Sequence, residues 1–191
     1  MNIKNSFEID CPIARAWALL TDIPAVAPCM PGVEITEVRS DGVILLVGRV
    51  KLGPVQLEMQ GEAQLLDADS STHTAKLAGK ARDRKGRGSA VSTIVFSLHE
   101  RDVDRTLVEV DSEVDLAGSI AQYGRGSGLV QIAASQIVAQ FAANLQALIA
   151  RDQAAPPLAP ARPISGFSLV ARSMWLRILQ LFTRAGANDR G

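Results

Sequence analysis

The feature that most constrains this chain is a change of hydrophobic period along it. Residues 55–66 alternate, with Leu57, Met59, Gly61, Ala63 and Leu65 set against Gln56, Glu58, Gln60, Glu62 and Gln64. Such a segment is a strand with one buried and one wet face. Residues 106–116 alternate again, with Val108, Val110, Val114 and Leu116 opposite Glu109, Asp111, Glu113 and Asp115. Across residues 126–150 the period lengthens to three or four, through Leu129, Ile132, Ala133, Ile137, Phe141, Leu145 and Leu148. That stripe belongs to an amphipathic helix, and it needs a sheet face to cover.

The intervening segments complete an α+β order. Ile3, Phe7 and Ile9 mark a first strand, and Pro12 opens a short helix through Ala16, Trp17 and Leu20. Pro24, Pro28, Pro31 and Gly32 allow at most a second short helix and a turn. Turns at Ser40-Asp41-Gly42, Gly53-Pro54, 67–71, 83–88 and near Asp104 then divide residues 33–116 into consecutive strands. Hairpins at this spacing predict an antiparallel sheet of six or seven strands with one long C-terminal helix across it. The inward-phase residues Gly61, Ala63, Ala75, Gly79, Ala81 and Ala90 are small. They favour an internal hydrophobic cavity over a solid core. Its expected lining is Trp17, Leu20, Met30, Leu57, Met59, Ala63, Leu77, Ile94, Phe96, Val108, Val110, Ile137 and Phe141, which suits an apolar ligand.

Composition excludes several classes. The 191 residues carry 20 Lys+Arg and 20 Asp+Glu, so the chain is not a generally basic nucleic-acid binder. The even balance hides a split: residues 151–191 hold six arginines and two aspartates, a net +4, against −4 for the rest. No signal peptide and no ordinary transmembrane stretch is read. Cys11 and Cys29 are too few for a disulfide framework and read as buried thiols, and His73 and His99 lack metal-site spacing. No catalytic constellation is present. Gly124-Arg125-Gly126-Ser127-Gly128 lacks the Lys-Ser/Thr of a phosphate loop and reads as a sheet-to-helix joint, though Arg125 could reach an acidic partner. Asp22 reads as a helix cap. Lys80, Arg82, Arg84, Lys85 and Arg87 form a basic cluster on a hairpin tip, solvated or else a docking or membrane-facing tip.

This element order resembles the START-like, or Bet v 1-like, helix-grip fold. The local sequence is similar to one branch of it. Trp17 and Leu20 before Asp22, Cys29-Met30-Pro31-Gly32, 50–54 (Val-Lys-Leu-Gly-Pro), Gly61-Glu62-Ala63, Gly88-Ser89-Ala90 and Gly118-Ser119-Ile120-Ala121-Gln122-Tyr123-Gly124 resemble the carbon monoxide dehydrogenase G-subunit (CoxG) family over residues 1–148. The resemblance implies association with a molybdenum hydroxylase, chiefly aerobic carbon monoxide dehydrogenase. It also implies a link from that enzyme to the cytoplasmic membrane, and a pocket for a lipid-like molecule such as menaquinone or ubiquinone.

The C-terminal region reads separately, giving a ligand-binding domain over 1–150, a Pro/Ala-rich linker over 151–165, a membrane-binding helix over 166–184 and a disordered tail over 185–191. On a helix, Phe167, Val170, Met174, Trp175, Ile178, Leu181 and Phe182 share one face, accompanied by Arg172, Arg177 and Arg184. Large apolar side chains with arginines suit a membrane-surface helix. Each buried one contributes roughly 1.5–3 kcal/mol, and each Arg at an anionic leaflet on the order of 1 kcal/mol. The expected protein is a non-enzymatic accessory, cytoplasmic and peripheral on the inner face of the cytoplasmic membrane. It has no covalent cofactor, metal or nucleic-acid partner. Two alternatives are a docking or assembly factor without a ligand role, and a small START-like enzyme acting on an apolar substrate.

Overall fold

The computed structural model describes residues 1–52, 55–124 and 128–154. Its elements run β1 (Asn2–Ile9), α1 (Ile13–Thr21), α2 (Ile23–Val26), a 3-10 turn (Ala27–Cys29), β2 (Val33–Val38), β3 (Val43–Leu52), β4 (Val55–Asp69), β5 (Thr74–Asp83), β6 (Gly88–Asp102), β7 (Arg105–Gly118), α3 (Ala121–Gly124) and α4 (Leu129–Ala154). Pro12 precedes α1, where its missing N–H costs nothing. Asp22 caps α2 as expected, its Oδ1 accepting from the Ala25 amide at 3.2 Å.

All seven strands join one antiparallel sheet in the order β1-β7-β6-β5-β4-β3-β2. β2 to β7 form a meander, and β1 returns to pair with β7, so Phe7 lies opposite Val108. Hairpin patterning accounts for the meander, but nothing local specifies the β1–β7 pair. Register shifts at Ile35/Glu37, Leu65/Asp67 and Glu100/Asp102 bend β2, β4 and β6. They also explain why β4 and β6, at 15 residues each, outrun their alternation. At Gly61 the strands approach so closely that an added Cβ would meet the Lys80 carbonyl oxygen and lie 2.7 Å from the Ala81 Cβ. Only glycine fits there, in the middle of the most regular strand pattern.

α4 lies against β1, β3 and the 3-10 turn, along both margins of the sheet. Ser135 Oγ donates to Asn5 Oδ1 at 3.0 Å, Gln146 Nε2 to Asp10 Oδ2 at 2.9 Å, and Asn144 Nδ2 to the Cys29 carbonyl at 2.8 Å. Residues Leu129–Asp152 are long and apolar enough to cross a bilayer. In this fold the helix is instead laid on the sheet, with Leu145 and Ile149 fully buried.

The core has two clusters. One gathers Ile9, Cys11, Ala16, Leu20, Phe96, Val108, Leu145 and Ile149 with their neighbours; the other gathers Leu57, Met59, Ile120 and Ala133. Both cysteines are free and buried in the first cluster, and burial pushes their thiol pKa values up. They behave as small hydrophobes.

A buried ion pair fastens the second end. The Asp83 side chain has no exposed surface and receives Arg87 Nε at 2.7 Å and Nη2 at 2.8 Å. It also accepts the amides of Glu58, Lys85 and Arg87. Arg87 in turn donates to the Gln56 carbonyl at 2.8 Å, and its own carbonyl accepts Ser119 Oγ at 2.7 Å and the Ile120 amide at 3.3 Å. Gly118 crosses here at φ +77, and a Cβ on it would lie 2.8 Å from the Arg87 carbonyl oxygen. The expected basic tip is therefore largely neutralised. Arg87 is an internal clasp, Lys80 pairs with Glu62 at 2.8 Å, and Arg84 pairs with Glu58 at 2.8 Å.

Two outcomes follow from this packing. Leu145→Ala leaves a cavity where the side chain is fully enclosed, and lowers stability in urea by about 2–5 kcal/mol. The Arg87 guanidinium and the surrounding amides hold the Asp83 carboxyl well below the usual carboxylate range. Its stabilisation is therefore complete above the unfolded pKa of about 4, and fades as pH falls from there toward the folded value. Asp83→Asn lowers the urea midpoint at pH 7, and the gap from wild type narrows below about pH 4; a gap unchanged down to about pH 2.5 would contradict the clasp.

Candidate functional site

The concave face is assembled row by row from the register. One row runs Ile44, Ala63, Gly79, Ser92, Val114 across five strands. A second runs Leu65, Leu77, Ile94, Ser112, Ile3. A third runs Leu46, Gly61, Ala81, Ala90, Leu116. All six small residues expected to face inward do so. They lie on β4, β5 and β6, interleaved with the larger Leu65, Leu77 and Ile94 of the second row.

The two core clusters stand toward opposite ends of the strands, with the second row packing against the first cluster and the third row against the second. Leu20, Phe96 and Val108 are buried in the first, and Trp17, Leu77, Val110 and Phe141 pack against it half-buried. Trp17 closes that end between His73, in an edge contact at 5.6 Å, and Phe96 at 6.1 Å. Leu57 and Met59 are buried in the second cluster against Ile120 and Ala133. Ala63, Ile94 and Ile137 belong to neither, and all three are half-buried. Met30 is half-buried at the end of the 3-10 turn, also outside both clusters. The residues expected to line one cavity thus divide into two packed ends and a looser middle. An inward-facing residue in that middle keeps water-accessible surface even though α4 spans the margins on either side.

The apolar pattern passes over the polar groups of this face. Ser92 is in phase with Ile94, Phe96 and Leu98, and Ser112 with Val108 and Val110, so simple alternation places both inward. Ser92 Oγ lies 3.0 Å from where a Cβ on Gly79 would sit, which puts the hydroxyl over that glycine on the concave side. Among the described residues neither Ser92 nor Ser112 has a hydrogen-bond partner for its hydroxyl. Thr106 differs, since it is buried and donates to the Cys11 carbonyl at 2.8 Å. Asn5, on β1, is engaged by Ser135 of α4. The charged Asp83 is consumed by Arg87. The described middle of the face is thus apolar, with neutral hydroxyls as its free polar groups.

A shallow depression of about 470 Å³ lies elsewhere, along Gln131, Ile132, Ser135, Gln136 and Ala139 of α4. It is open and formed by one helix, so it lacks the walls that a hydrophobic ligand needs. Arg125, the linker and the membrane-binding candidates Phe167, Val170, Arg172, Met174, Trp175, Arg177, Ile178, Leu181, Phe182 and Arg184 lie outside the described residues.

Comparison with solved structures gives the fold class. A conserved protein from Geobacillus kaustophilus superposes with a TM-score of 0.69 at 17% identity, over 79% of this chain and 96% of that one. The Zhui aromatase/cyclase from Streptomyces sp. R1128 gives 0.55 at 11% identity, over 79% and 94%. A START superfamily protein from Mycobacterium smegmatis gives 0.54 at 13% identity, over 78% and 97%. The architecture is therefore START-like, as the element order implied. No curated protein matches the sequence. The family model for the carbon monoxide dehydrogenase G-subunit, CoxG, matches residues 6–150, spanning the sheet, the Met-Pro-Gly turn and α4. On that match the chain belongs to the CoxG family.

Proposed function

We propose that this protein is a non-enzymatic accessory that carries a hydrophobic ligand, quinone or lipid-like, in the space between sheet and helix. In this reading it links a molybdenum hydroxylase such as aerobic carbon monoxide dehydrogenase to the inner face of the cytoplasmic membrane. The observation that carries the ligand half is the concave face itself. Small side chains floor its middle, apolar clusters close its ends, and α4 touches its margins. The partner enzyme is inferred from membership of the CoxG family. The membrane half is inferred from the apolar and arginine-rich composition of residues 166–184.

An enzyme reading is prompted by the aromatase/cyclase among the structural neighbours. Acid–base chemistry in such a chamber needs a titratable group facing the substrate. The inward rows described here offer serines instead, which favours carriage.

Two measurements separate these roles. Mass spectrometry of lipid extracts from full-length protein, purified from its native membrane, should find a bound quinone or lipid. Ala63→Trp should lose that ligand while keeping the wild-type circular dichroism spectrum, because indole fills the floor opposite Gly79. Retained pull-down of the hydroxylase and retained activity in that variant would favour the docking-factor alternative. For the membrane, vesicles containing anionic lipid should float the full chain but leave behind a chain ending at Gln153. Equal flotation would remove the anchor from this account.

A further inference from the structure

We propose that the outer, convex face of the sheet is an interface for a second copy of this chain, centred on β6. The inference goes beyond the carrier reading and stands apart from it, because it uses neither the concave face nor α4. On the outer face of β6 stand Val91, Thr93, Val95 and Ser97, none of them charged. Val91 is 55% exposed, although β6 is paired on both sides. The columns beside it carry opposite charge. On one flank β7 presents Glu109, Asp111, Glu113 and Asp115, and on the other β5 presents Lys76, Lys80 and Arg82. An uncharged centre with charged margins is the anatomy of a protein–protein interface.

The order of the columns selects the occupant. The register sets Lys80, Val91 and Asp115 in one row across β5, β6 and β7, and Lys76, Val95 and Asp111 in another. A two-fold axis along β6 lays a second sheet face down on the first, with β7 of each copy over β5 of the other. Asp115 then meets Lys80 of the second copy, Asp111 meets Lys76, and Val91 and Val95 each meet their own counterpart. A two-fold running across the strands would lay β7 on β7, acid against acid. Lys76 and Glu113 make no ion pair among the described residues, so both have charge to offer. Lys80 and Asp115 keep 68% and 82% of their side-chain surface exposed despite their contacts with Glu62 and the N-terminal amine. A uniformly basic or uniformly acidic partner would satisfy one column and be repelled by the other. A second copy brings both signs in the matching order. Because the sheet curls toward α4, only β5, β6 and β7 meet their counterparts, a strip roughly 14 Å across. Such a strip lies at the small end of specific interfaces, so the dimer is reversible and sensitive to salt.

The test is sedimentation velocity of the full-length chain in a non-ionic detergent, which keeps the apolar residues 166–184 from driving association. Wild type should show a monomer–dimer equilibrium at low ionic strength that shifts to monomer as salt is raised. Lys76→Glu with Lys80→Glu sets acid against acid, and Asp111→Lys with Asp115→Lys sets base against base. Each pair of substitutions should weaken the dimer at least about tenfold. Circular dichroism should stay as in wild type, since all four side chains reach solvent. An equimolar mixture of the two variants should regain dimer, because one pair of facing columns is then unaltered and the other is reversed on both sides. A wild-type chain that stays monomeric at low salt overturns the proposal. So does a dimer indifferent to salt and to both variants, which would join the copies elsewhere, residues 155–191 included. A mixture that remains monomeric overturns the two-fold along β6.

Discussion

One helix cannot cover seven strands laid flat. Strands stand about 4.8 Å apart, so seven of them span roughly 29 Å, while a helix with its side chains is only about 10 Å wide. The sheet must curl until its margins reach the helix, and that is what α4 meets: β1 on one side, β3 and the 3-10 turn on the other. The middle strands reach the helix through their larger side chains, Phe96 and Val108 toward Leu145 and Ile149, and Leu57 and Met59 toward Ala133. Covering a wide sheet with a narrow rod thus makes the packing of the concave face depend on its side chains.

These side chains pack into two clusters and leave Ala63, Ile94 and Ile137 half-buried outside both. Leu145 and Ile149 of α4 join α1, β1 and β7 in the larger cluster, and Ala133 meets Leu57, Met59 and Ile120 at the other end. Between these, β4, β5 and β6 present Gly61, Ala63, Gly79 and Ser92. Gly61 has a second cause for being small, because a Cβ there would strike the neighbouring strand. The Asp83–Arg87 clasp steadies the smaller end, which has few large side chains and gains its definition from hydrogen bonds joining β4, the β5–β6 hairpin and the approach to α3.

Much of this was readable from spacing. The strand alternation of 55–66 and 106–116, the switch to helical period and the turn residues placed the meander and the long helix, because each depends on contacts a few residues apart. The Asp22 cap and the buried cysteines are equally local. The hairpin tip was harder. Arg87 counts as one more basic residue until the fold turns it onto Asp83, four residues earlier, beside the Gln56 carbonyl and Ser119. The serines were legible in principle, since alternation alone puts Ser92 and Ser112 inside. Apolar pattern does not reveal them, because they interrupt it.

The amino-acid sequence by itself determined the antiparallel class, the single covering helix, the small inward residues and the division of charge between the domain and residues 151–191, since all are properties of order and composition. Tertiary structure decided the β1–β7 pairing between residues about a hundred positions apart, the splitting of the core into two ends, and the neutralisation of the basic tip. Each of those depends on which surfaces meet once the sheet has curled. Chain order does not encode that curvature in any one place; it emerges from the bulges, the glycine crossing and the narrowness of the one helix together.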